Sequence, residues 1–190
     1  MTWVGWVVLA VVVLGAISAI VLMRVRSRAE ILNTEVIRTG AMLERSLRAR
    51  ALMTLELARS PHIDPATAVI LVDIAGRCLE DEDLDYPELG AQPSPERVRE
   101  RALCESELTR GLRVIVPQLL ELTEHDPGLR HHVDRLVERW RLVGVARTLH
   151  NSRVAQAVEV HGSPLGRLAG VRTPAHVTFD MDDALPEPMG

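Results

Sequence analysis

The pattern of apolar and polar positions divides this chain at Met23. From Thr2 to Met23 no side chain is charged and nearly all are apolar: Thr-Trp-Val-Gly-Trp-Val-Val-Leu-Ala-Val-Val-Val-Leu-Gly-Ala-Ile-Ser-Ala-Ile-Val-Leu-Met. As a helix rising 1.5 Å per residue, this stretch measures roughly 33 Å, enough for the hydrocarbon core of a bilayer. Beyond it, apolar residues recur every three or four positions between charged ones, the period of amphipathic helices. The pattern predicts an all-α chain: a single transmembrane helix at 2–23, a helical domain at 24–178, and an irregular acidic tail at 179–190, mobile in character.

The flanks give the span a direction. Trp3 and Trp6 stand at one end, where amphipathic rings favour the membrane interface, and Arg24, Arg26 and Arg28 stand at the other. Basic residues favour the cytoplasmic side. The expected orientation is N-terminus out across a cytoplasmic (inner) membrane, with the bulk of the chain in the cytoplasm. A cleaved signal peptide would need a basic leading region and a shorter apolar core.

Four helical segments are predicted in the domain. The first, 24–59, carries the stripe Leu32, Val36, Leu43, Leu47, Ala51 and Leu55, with Gly40 as its weak point. Ser60-Pro61 ends it, because a residue before proline is pushed out of the α region. Asp64-Pro65, Ser94-Pro95 and Asp126-Pro127 each pair a capping side chain with a proline at the first helical position. They open segments at 65–80, 95–122 and 127–161. In the second, Val69, Ile70, Val72, Ile74 and Leu79 are expected to face the core. The third shows Val98, Ala102, Leu108, Leu112, Ile115, Leu119 and Leu122, with Glu105 in a gap of the stripe, expected at the seam edge or paired with an arginine. Pro117 is expected to kink or end that helix. The fourth shows Leu129, Val133, Leu136, Trp140, Val143, His150, Val154 and Ala157, and Gly162-Ser163-Pro164 closes it. Short connections between such segments favour an antiparallel four-helix bundle.

Composition agrees with this picture. Aromatic residues make up 3% of the chain, too few for a sheet-rich fold. All 22 basic residues are Arg, which points to a GC-rich, bacterial genome, and the net charge of −4 gives no reason to expect a nucleic-acid partner.

Candidate chemistry is sparse. Cys78 and Cys104 match no metal or redox spacing. The histidines (His62, His125, His131, His132, His150, His161 and His176) form no zinc or di-iron pattern. The acid-rich stretch from Glu80 to Pro95 lacks the sixth-position glycine of a calcium loop and is expected to be solvated. No phosphate loop or nucleophile elbow occurs. The expectation is therefore no enzyme, no cofactor and no metal.

One segment carries a likeness. Ala146-Arg147-Thr148-Leu149-His150-Asn151-Ser152-Arg153-Val154 resembles the Ala-Arg-x-x-Tyr-Asn-x-x-Val signature of the bacterial LemA family. Glu107-Leu108 with Leu112, the turn Glu124–Arg130, and the closing Pro164-Leu165, Leu168–Val171 and Phe179-Asp180 resemble further family segments in the same order. His150 stands where the family carries Tyr and Val171 where it carries Phe, and the Leu-Ile-Pro-Asn-Leu-Val motif is missing. The resemblance implies a divergent member with a membrane-anchored helical bundle, and no established activity. Arg147 and Asn151 are one helical turn apart and share a face. The motif residues Arg147, His150, Asn151 and Val154 are expected to be structural, pinning the C-terminal segment or a neighbouring helix. The expected function is a scaffold or adaptor with the lipid bilayer and an unidentified protein as partners. A small-ligand or metal module in the bundle core is one alternative. An accessory subunit of a membrane complex is another, homo-oligomeric or otherwise, assembled through the small residues Gly5, Gly15, Ala16 and Ala19.

Overall fold

The computed structural model describes residues 2–61, 63–80, 93–123, 126–170 and 177–186. Regular structure among them is entirely helical: α1 (Thr2–Ala58), α2 (Pro65–Glu80), α3 (Pro95–Leu122), α4 (Pro127–Gly162) and α5 (Pro164–Leu168). Most of the acid-rich stretch after Glu80, together with His62, His125, Val171 and His176, lies outside the described residues.

The capping side chains act as their chemistry predicts. Asp64 Oδ1 accepts from the Ala66 and Thr67 amides at 3.0 Å each, and Asp126 Oδ1 from Gly128 and Leu129 at 2.9 and 3.1 Å. Ser94 Oγ accepts from the Arg97 amide at 3.3 Å. These bonds satisfy amides that the first helical turn leaves without partners. A fourth such signal, Ser163-Pro164, does more than end α4. Ser163 Oγ accepts from the Gly166 amide at 3.0 Å and starts the short α5.

α1 is one unbroken helix of 57 residues, roughly 85 Å long. It passes through Gly40 without a break, as α3 passes through Pro117. Its first part, residues 3–21, is exposed throughout, and it is long and apolar enough to cross a membrane. Burial begins abruptly where the apolar stretch ends: Leu22 and Val25 are partly covered, and Ala29 is 1% exposed.

From there α1 packs along α4. Leu32 and Val36 meet Val154 and Ala157; Leu43 and Leu47 meet Val143 and Ala146; Ala51, Met53 and Leu57 join Leu129, Val133, Leu136 and Trp140. As the position along α1 rises, its partner along α4 falls. α2 packs against the far end of α1 and against α3. Its buried residues are Leu71, Ala75 and Cys78, whereas Val69, Ile70 and Val72 are exposed. Of the expected face, Ile74 and Leu79 do pack against the core, while Val69, Ile70 and Val72 do not, because an almost uniformly apolar run carries little angular information.

The centre of α1 and α3 is ionic. Arg50 Nη2 meets Glu105 Oε2 at 2.6 Å, and Arg50 Nη1 donates to Thr109 Oγ1 at 2.9 Å. Arg101 Nη2 lies 3.0 Å from the other Glu105 oxygen and 2.9 Å from Glu44 Oε1. Arg101 also donates to the Cys78 carbonyl, tying α2 into the set. Glu105 is fully buried between the two arginines: of the two expectations for it, the pairing with arginine is the one present, and it lies in the body of the stripe, not at its edge. Two cations and two anions cancel, so no net charge is stranded in the core. Cys78 and Cys104 meet across α2 and α3; the hydrogen bond to Cys104, with burial, pushes the Cys78 thiol far up, keeping it protonated and unreactive.

Replacing Glu105 by Ala leaves the buried Arg50 guanidinium without a carboxylate and Arg101 with Glu44 alone. The expected loss of stability is about 3–5 kcal/mol, read from urea unfolding; a loss too small to measure would show that the network is solvated.

Candidate functional site

Residues 177–186 form an extended strap laid across the helices. The acidic run suggests a mobile tail from 179, and the structure corrects this as far as residue 186, because the strap carries its own apolar anchor. Phe179, the chain's one phenylalanine, is 0% exposed among Leu43, Leu47, Val98, Ala102, Val143 and Ala146, with Met181 beside it.

α4 grips the strap backbone. Asn151 Nδ2 donates to the Phe179 carbonyl at 2.9 Å, and the Phe179 amide donates back to Asn151 Oδ1 at 2.8 Å. One turn earlier, Arg147 Nη1 donates to the Met181 carbonyl at 2.8 Å, while its Nη2 pairs with Asp183 Oδ1 at 2.9 Å. Trp140 Nε1 donates to the Asp183 carbonyl at 3.1 Å. The i, i+4 and i, i+7 spacings of Asn151, Arg147 and Trp140 thus form a ladder matched to alternate strap residues. Gly144 stands between the rungs, where an added Cβ would lie 3.2 Å from Asp183 Oδ2.

α3 holds the other edge. Arg113 Nη2 reaches both Asp182 oxygens at 2.7 Å, and Ser106 Oγ accepts from the Asp182 amide at 3.1 Å. Arg113 and the Ala184 amide hold the Asp182 carboxyl below its ordinary range. The acids that made the tail look solvated are the groups that fasten it.

The other two motif residues turn towards α1. His150, 1% exposed, places Nδ1 3.3 Å from Thr39 Oγ1, and its ring also reaches the backbone of Val177 and Val36. Burial holds its pKa below the ordinary 6.5, so it is neutral at physiological pH. Val154 is buried against Leu32 and Val36. All four motif residues therefore serve packing between α1, α4 and the strap. Trp3, Trp6, Arg24, Arg26 and Arg28 are exposed on α1, remote from this site. Sequence reasoning singled out Phe179 only through a resemblance and missed Asp182, Asp183 and Arg113; a lone phenylalanine amid acids, in an aromatic-poor chain, was the available signal for the strap.

Beside the strap runs a groove of about 670 Å³ lined by Trp140, Val145, Leu149 and Leu185, with Arg141, Thr148, Ser152 and Asp183 as polar members. Among the described residues, no group of three or more His, Cys, Asp or Glu side chains is placed to hold a metal ion. The chain matches no protein-family model, no curated protein and no solved structure.

Two outcomes follow. The double substitution Arg147→Ala, Asn151→Ala should release the strap, so that a protease cuts within 177–186 several-fold faster while the helices resist; unchanged cleavage would refute the clasp. Stability should fall as pH drops below 6.5, since the unfolded chain gains a proton that folded His150 resists. His150→Gln should flatten that part of the urea-midpoint profile, and an unaltered slope would assign it to other groups.

Proposed function

We propose that this chain is a single-pass membrane protein whose helical domain is a non-catalytic scaffold or adaptor, a divergent relative of the LemA family. Its domain is an antiparallel four-helix bundle at the cytoplasmic face of an inner membrane, with the N-terminus outside.

The observation that carries the proposal is the continuity of α1. One helix contains both the exposed apolar stretch and the buried stripe, with Arg24, Arg26 and Arg28 at the junction. An apolar core helix of a water-soluble domain would be covered, and residues 3–21 are not. The descending partners of α1 along α4 support the antiparallel arrangement. The arginines support the inward orientation, each adding about 1 kcal/mol against an anionic leaflet. The family relation is supported by contact between two resembling segments, 146–154 and Phe179-Asp180, which meet through Asn151. An adaptor of this kind offers a rigid helical surface to an unidentified protein partner, or to further copies of itself.

A second reading, a module for a small apolar ligand, is favoured by the groove between α4 and the strap.

The full-length chain should stay with the membrane through alkaline extraction. A C-terminal reporter active only outside the cytoplasm should be silent, and one active only inside should work. Release at high pH would end the anchor; an active external reporter would reverse its direction.

A further inference from the structure

The place where α4 turns into α5 fixes something that neither the span nor the domain shows alone. The last residues of α4 pack at the membrane-proximal end of the domain, with Val160 against Leu32 and Val36. α5 follows and packs on α1. Beyond the Val160 partners on α1, towards the apolar stretch, Leu22 and Val25 are partly covered and Ala29 is buried, which is where a helix that follows Val160 and packs on α1 would lie. Leu22 belongs to the uncharged stretch itself. Because α1 is unbroken there, the height of α5 is set by the helix and not by a flexible tether.

α5 is built to hold that position. Ser163 caps it, and Arg167 Nη2 donates to the Gly162 carbonyl at 3.1 Å. A Cβ on Gly166 would fall on the Val160 carbonyl oxygen, so this close turn admits only glycine. With Gly166 buried inward, Leu165 and Leu168 share the outward face three residues apart and are 46% and 74% exposed. Arg167, also exposed, lies between them in sequence.

We propose that α5 is an interfacial foot, with Leu165 and Leu168 entering the headgroup–acyl boundary of the bilayer and Arg167 facing its anionic phosphates. The proposal rests on the reading of residues 2–23 as a span. The headgroup region adds roughly 5–8 Å on each side of the hydrocarbon core. Arg24 to Arg28 rises roughly 6 Å along α1, so an α5 packed beside this part of α1 lies within that layer. Apolar residues on one face with cations beside them are the composition that lies in a membrane interface. The foot gives the domain a second point of attachment and so fixes its rotation about α1 as well as its height.

The test uses the full-length chain reconstituted in vesicles of phosphatidylcholine and phosphatidylglycerol, with an environment-sensitive fluorophore on one introduced cysteine. Cys104→Ser removes the partly exposed native thiol, and Cys78 is buried. Labels are compared at Leu168→Cys, at Leu14→Cys in the span and at Val69→Cys, exposed on α2 at the far end of the domain. Lipids carrying a quencher near the headgroup should quench residue 168 several-fold more than residue 69, and Arg167→Gln should weaken that quenching. Deep-chain quenchers should act on residue 14. If residue 14 is quenched and residue 168 behaves like residue 69, the foot is wrong and the anchor stands. If residue 14 is not quenched, the anchor fails and the foot with it. Leu165→Cys repeats the test on the same face, so a fault of one labelled variant does not decide the outcome.

Discussion

The constraint on which this structure depends is that α1 performs two tasks in one helix. Its first part presents apolar side chains in every direction, and the rest buries a single stripe against α4. The change occurs within about two turns, between Leu22 and Ala29. No Gly or Pro lies in that interval to soften it. A helix that runs from an exposed apolar stretch into a packed core without a hinge transmits its tilt and rotation to everything packed on it.

Two features of the domain preserve that rigidity. The buried set of Arg50, Arg101, Glu44 and Glu105 joins α1 to α3, and through the Cys78 carbonyl to α2. Such a set contributes less to stability than apolar groups of the same size would, because its charges lose their hydration. It does penalise any slip of α1 against α3, since a displaced partner leaves a buried charge uncompensated. The strap performs a comparable task on the other side. Phe179 fills the space between α1, α3 and α4, and Asn151 and Arg147 fix its backbone at alternate residues.

What could be read from the sequence follows from how local each signal is. Capping side chain and proline are adjacent, so the starts of α2, α3 and α4 were legible at Asp64, Ser94 and Asp126. The stripes of α1 and α4 were legible because their apolar residues are separated by charged ones. α2 was not, since Val69 to Val72 is apolar on every side and only tertiary packing selects Leu71. The pairing of Glu105 with an arginine was legible, and Arg101 lies one turn from it; Arg50, more than fifty residues away, could be named as the second partner only from the packed structure. The strap read as a mobile tail for a related reason: Asp182 and Asp183 find Arg113 and Arg147 only once α3 and α4 lie side by side. The motif residues were placed on the right helix, but the acids they serve were visible only in three dimensions.

The central claim is that the exposed apolar stretch and the first domain helix are one rigid element. Amide hydrogen exchange of the full-length chain in lipid nanodiscs tests it most directly, residue by residue from Val21 to Val36. Unbroken protection through Arg24, Arg26 and Arg28 into the buried stripe is the predicted result. A fast-exchanging gap between Met23 and Ala29 would mean that the domain hangs from a flexible tether, and would contradict the account.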